Sequence, residues 1–137
     1  MAGRKNQSRS RLRPERPITL NYHVGKYSKD NANNRGWFIG SFMNNPASRT
    51  DAVEVKYTEF DTGLTNHGLK TSATYECSIV ITGMARAFID GNEHIIESGD
   101  YIAIQPNTPN NLVAEILKPI KIITIKAPCD PSAKQII

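Results

Sequence analysis

Glu76 is the side chain in this sequence with the best case for chemistry. It sits in the run Tyr75–Thr82 (YECSIVIT), where apolar neighbours would desolvate a carboxylate, raise its pKa and make it a general base, with Tyr75 or Tyr101 as partners. The alternative is a structural acid, satisfied by the hydroxyls of Thr71 or Ser78 or paired with Lys56 or Arg86. Cys77 follows Glu76 directly, and on a strand the two side chains point to opposite faces, so Cys77 reads as a packing residue rather than an activated nucleophile. Cys129, in Ala127-Pro128-Cys129-Asp130-Pro131, reads as a surface thiol. The three histidines are scattered: His23 is remote, His67 lies in the turn-like Asn66-His67-Gly68, and His94 alternates with Glu93 in a short strand. A transition-metal site needs several such ligands on a fixed geometry, so none is expected here. The glycines form neither G-x-G-x-x-G nor a phosphate loop.

The elements that must position these residues are strands. Ile18–Val24 holds β-formers, and the polar, Asn-rich Ser28–Gly36 reads as a loop. Trp37–Met43 reads as a strand ended by Asn44-Asn45-Pro46. Ala52–Phe60 alternates Val53, Val55 and Tyr57 with Glu54, Lys56 and Thr58, the period of a half-buried strand. Tyr75–Thr82 stops at Gly83, Ala85–Ile89 follows, and Asp90-Gly91 is the strongest tight-hairpin signal in the chain. Glu93–Ile96 returns, and Tyr101–Gln105 is closed by Pro106. Leu112–Leu117 and Ile120–Lys126 read as a last pair around Lys118-Pro119. No long stretch shows helical periodicity. Evenly spaced short strands between Gly, Pro and Asn turns indicate an all-β sandwich or barrel.

Between Gly63 and Asn110 the sequence resembles the cupin superfamily of small jelly-roll barrels. The first family motif is G-x5-H-x-H-x3,4-E-x6-G, and Gly63, Leu69, Thr71, Glu76 and Gly83 keep its spacing. The second, G-x5-P-x-G-x2-H-x3-N, becomes Gly99, Gln105, Asn107, Asn110 and Ala114. The resemblance implies a single-domain, all-β jelly-roll barrel, and a homodimer in which the apolar segments Trp37–Met43 and Val53–Phe60 cover a sheet face or edge. It also locates the family's metal site, where Leu69, Thr71 and Asn110 replace the three histidines and only Glu76 remains. Leucine has no donor atom, and neutral Thr and Asn oxygens are poor ligands for Fe, Mn, Ni or Zn. No metal and no cofactor are therefore expected. The expected mouth is a polar cluster of Thr71, Glu76, Ser78 and Asn110 on an apolar floor of Leu69, Val80, Ile102 and Ile104, the composition of a small-molecule site.

Composition bounds the rest. A chain of 137 residues corresponds to one domain on a prior of roughly 100–200 residues each. The net charge of +4 is unevenly spread: residues 1–17 hold six basic side chains against Glu15, leaving eleven basic and twelve acidic residues in the remainder. That basic arm, with Leu12 as its large apolar residue, is expected to be disordered alone. It serves either solubility or weak, non-specific nucleic-acid contact. Residues 18–128 are expected to form the barrel and 129–137 a C-terminal tail. No apolar run approaches the length of about 18 residues needed for a spanning helix, and no apolar segment follows the basic start, so no membrane segment and no signal peptide are expected. Two cysteines are too few for a disulfide scaffold, and a cytoplasmic protein with reduced thiols is the default. Three functions remain open: a barrel binding a small polar or sugar-like ligand, a metal-independent isomerase, epimerase or lyase using Glu76, and a packed barrel with an interaction role.

Overall fold

The computed structural model describes residues 21–32 and 34–136, so the basic arm lies outside the described residues. Its strands, in chain order, are β1 (Trp37–Ile39), β2 (Glu54–Phe60), β3 (Gly63–Leu64), β4 (Lys70–Ser72), β5 (Tyr75–Ile89), β6 (Asn92–Glu97), β7 (Tyr101–Ile104), β8 (Asn110–Ala127) and β9 (Lys134–Ile136). A single helical turn, α1 (Tyr27–Asp30), precedes them. All the pairings are antiparallel, and β8 is the hub, bonded to β2, β3, β4 and β5. β6 and β7 both pair with β5, and β1 flanks β2. The long strands curl, so that one sheet supplies both walls of an all-β jelly roll.

β5 and β8 are each longer than the sequence pattern suggests. Gly83 does not stop β5, and Lys118-Pro119 does not split β8 into two strands. The pairing absorbs both residues through register shifts between Val80 and Ala85, because a bulge accommodates a proline without an N–H and lets the strand pair bend. Trp37–Met43, by contrast, is strand only over Trp37–Ile39, which pairs with β2, and the chain turns away from Gly40 onward. Asp90 and Gly91 both have positive φ (49° and 83°), as a two-residue hairpin matching the sheet's twist requires, and they join β5 to β6 with Ile89 opposite Asn92. The segment read as a C-terminal tail carries β9, which pairs with β4, while Ala133 is buried.

The core is continuous and aliphatic: Val80, Ala85, Ala87, Ile96, Ile102, Ile104, Ile116, Ile120 and Ile122. On the opposite face Tyr57 is also buried, packed at a tilt against Tyr27 of α1 with 4.0 Å between ring centroids. Both faces of β2 are thus covered. β2 therefore carries a buried residue on each face, Glu54 within and Tyr57 outside, and its apolar set is the outer one.

Candidate functional site

Along three adjacent strands the interior face changes character at the same end. β8 runs Ile120, Ile122, Thr124, Lys126; β5, antiparallel to it, runs Val80, Ser78, Glu76; β2 runs Phe60, Thr58, Lys56, Glu54. Register places these residues in rows. One row is Trp37, Lys56, Thr124, Ser78 and Ile102, and the next is Glu54, Lys126, Glu76 and Ile104. The polar residues of the three strands therefore gather at one end of the interior, a buried polar cluster next to the aliphatic core and called the mouth below.

Glu76 lies at the centre of the mouth and is 4% exposed. Its Oε1 accepts a hydrogen bond from Lys70 Nζ at 3.0 Å, and Oε2 lies 3.3 Å from Lys70 Nζ and 3.4 Å from Lys126 Nζ. Of the cationic partners anticipated from sequence, Lys56 stands in the neighbouring row without an ion pair to Glu76, and Arg86 engages Glu93 and Glu115. Lys56 instead lies over the Trp37 ring, 4.9 Å from its centroid, and Lys126 lies 5.6 Å from the same centroid. Such cation–π contacts partly offset the loss of water around the ammonium groups. Ser78 Oγ and Thr124 Oγ1 are hydrogen-bonded to each other at 3.1 Å. The second acid of the mouth, Glu54, accepts a long contact from the Cys129 thiol at 3.6 Å.

Of the residues expected to form the site, Glu76, Ser78, Val80, Ile102 and Ile104 share the interior face, with the three aliphatic side chains in the core. Asn110 is fully buried and is the register partner of Lys70. Its Nδ2 donates to Thr108 O at 3.0 Å, while its Oδ1 has no hydrogen-bond partner among the described residues. Thr71 is half-buried and pairs with Gln135 of β9. Leu69 is 43% exposed and takes no part in the floor. The reason is local register: β4 begins at Lys70, which pairs with Asn110, and the long lysine stem between the two motif positions delivers its ammonium to Glu76. Lys56, Lys70 and Lys126 are the site residues that the sequence reading missed as a group. For Lys56 and Lys126 the available signal was their spacing on β2 and β8, two residues from Thr58 and Thr124 on the same face, and Lys70 on β4 had none.

The lysines act on one another. Burial, and then the charges of Lys134, Lys126 and Lys70, pull the Lys56 pKa from 10.5 down to about 8, with Glu76 pulling the other way. Lys70 is also lowered, by burial first, against the attraction of Glu76. His67, whose ring stands edge-on to Phe60 at 5.4 Å, is lowered by burial and then by Lys134 and Lys56. The depressed Lys56 value fixes a pH dependence. Between about pH 8 and 10.5 the unfolded chain holds the Lys56 proton and the folded chain does not, so stability rises with pH across that window. Thermal unfolding is expected to move up by a few degrees from about pH 7.5 to about pH 9.5. Lys56→Met should flatten that rise, and an unchanged rise in the variant would assign it to another group.

The donor set does not fit the metal of the histidine-bearing cupins. Among the described residues no group of three or more His, Cys, Asp or Glu side chains is arranged to hold a metal ion. Glu76 is engaged by two ammonium groups, and a cation placed beside it would meet their repulsion. His23 bonds Asp30, and His94 lines a shallow cleft of about 470 Å³ against β6 and β7, so neither histidine joins Glu76.

Comparison with solved structures agrees with this architecture. A cupin protein from Bacteroides fragilis superposes with a TM-score of 0.53 at 19% identity, covering 60% of this chain and 70% of that one. A conserved protein of unknown function from Streptococcus pyogenes gives 0.52 at 15% identity, covering 61% and 71%. Salicylate 1,2-dioxygenase from Pseudoaminobacter salicylatoxidans, with gentisate, gives 0.55 at 12% identity over 63% of this chain, which spans only 23% of the dioxygenase. No protein-family model matches the chain. No curated protein matches it either. The fold is that of the cupins, a jelly-roll barrel built from a single small domain. At these identities the likeness concerns the fold.

Proposed function

We propose that this chain is a metal-free cupin barrel that binds a small polar molecule at the mouth beside Glu76. The observation that carries this reading is the coincident change from aliphatic to polar side chains along the interior of β2, β5 and β8. A packed structural barrel gains nothing from burying lysines, which lose hydration there. A few polar groups over an apolar floor is the composition of a small-molecule site. The buried, unpartnered Oδ1 of Asn110 points the same way, since an interior acceptor is ordinarily satisfied by protein, water or ligand.

Glu76 serves this site as the anchor of the lysines. A general base must offer a lone pair to substrate, and a substrate would have to compete with Lys70 and Lys126 for the oxygens of Glu76. Binding without turnover is therefore favoured over isomerase, epimerase or lyase chemistry. Native mass spectrometry of the purified chain tests the reading. A co-purifying organic molecule, released on denaturation and weakened by Lys126→Met, is expected. A stoichiometric transition metal would overturn the metal-free assignment. A chain that carries no organic molecule and acquires none from a panel of polar metabolites would remove the binding role.

A further inference from the structure

The mouth holds more positive charge than its own acids neutralise. Lys56 and Lys126 stand in adjacent rows, Lys70 and Lys126 share Glu76, and the charge of Lys134, exposed on β9, reaches them from outside. Against them stand Glu76, already shared by Lys70 and Lys126, and Glu54, whose Oε2 is turned to Cys129. Among the described residues Lys56 and Lys134 form no ion pair. Lys126 is 5% exposed, so this charge is not simply spread into solvent. Like charges held together away from water are costly, and an incoming oxyanion relieves that cost while gaining charge-assisted hydrogen bonds.

Hydroxyl chemistry lies beside the ammonium groups. Thr124 is the register neighbour of Lys56 and Ser78 that of Thr124, a hydroxyl pair at 3.1 Å that can exchange its mutual bond for bonds to a ligand. Asn110 Oδ1, buried and without a partner, accepts where the ammonium groups donate. A ligand that satisfies both sets needs a negative group and free hydroxyls.

We propose that the mouth binds a small hydroxylated anion, a carboxylate or phosphate ester of a polyol, with its oxyanion among Lys56, Lys70 and Lys126 and its hydroxyls toward Thr124, Ser78 and Asn110. This rests on the reading of the mouth as a small-molecule site and specifies its ligand class. Lysine suits it: compact ammonium groups on flexible stems surround an oxyanion as point charges without demanding one fixed bidentate geometry.

The test is unfolding temperature and titration calorimetry on the full chain, at constant ionic strength, with three probes: gluconate, glucose 6-phosphate and neutral glucose. Gluconate or glucose 6-phosphate is expected to raise the unfolding temperature saturably, glucose is not, and Lys56→Gln is expected to weaken the charged probe about tenfold or more. Which charged probe binds more tightly distinguishes carboxylate from phosphate ester. Glucose binding as well as gluconate would overturn the anion assignment and leave the small-polar-ligand reading standing. An anion response unchanged in Lys56→Gln would place the anion elsewhere and overturn it too. No response to any of the three would also overturn the anion proposal, while the native mass spectrometry decides separately whether the mouth holds a small molecule.

Discussion

Gly83→Ala is expected to destabilise the fold by about 3 kcal/mol or more, lowering the unfolding temperature by roughly 10 °C. Two costs combine. Gly83 has φ of +99°, a conformation in which an L side chain is strained by about 1–2 kcal/mol. In addition, a Cβ there would lie 2.2 Å from the Pro119 carbonyl oxygen and 2.5 Å from Ile120 Cα. Both obstacles are backbone of β8, so no rotamer change relieves them, and the bend shared by the two longest strands has to open. Gly91→Ala is the control: its φ is +83° and nothing lies within 4 Å of the added Cβ, so it should cost about 1 kcal/mol. Urea unfolding of both variants measures the difference. Equal losses would mean that β5 and β8 are not in close contact at Gly83.

That bend also shows where sequence patterning reaches its limit. The strands, the Asp90-Gly91 hairpin and the interior alternation of Glu76, Ser78 and Val80 are legible because periodicity and turn chemistry are local. Continuity through Gly83 and Pro119 is not, since the same residues end a strand or kink it according to what packs opposite. The face of β2 is a second case. Val53, Val55 and Tyr57 look like the buried set, yet Tyr57 is buried outside the barrel, beneath Tyr27, while Lys56 and Glu54 face the mouth. Period two assigns residues to two faces without saying which is the interior. Lys70 is a third: it occupies the spacer between two family motif positions, and its long stem carries the charge to Glu76 from a position whose neighbours, Leu69 and Thr71, were the expected contributors. The carboxylate was identified from sequence, whereas its cationic surroundings depend on register across β2, β4, β5 and β8.

Glu76→Gln carries the other large effect. The change is nearly isosteric and removes the charge that holds Lys70 and Lys126 together. Lys126 is then a buried cation surrounded by Lys56 and Lys70, and an uncompensated buried charge costs about 3–5 kcal/mol. A loss at the lower end of that range is expected, because Lys70 can partly reach water and Trp37 retains its contact with Lys126. Replacing both partners, Glu76→Leu with Lys126→Met, should recover most of it, as buried ion pairs exchanged for apolar side chains of similar volume commonly do. Urea is the denaturant of choice because it leaves ionic strength unchanged. A Glu76→Gln variant within about 0.5 kcal/mol of the wild type would show that the lysines do not depend on this carboxylate. The anion proposal adds a second, opposite expectation for the same variant. With one negative charge fewer in the mouth, gluconate or glucose 6-phosphate should stabilise Glu76→Gln by more than it stabilises the wild type. A neutral ligand hydrogen-bonded to the carboxylate would instead lose affinity, so stability and binding moving in opposite directions is the signature of a carboxylate that orders cations for an incoming anion.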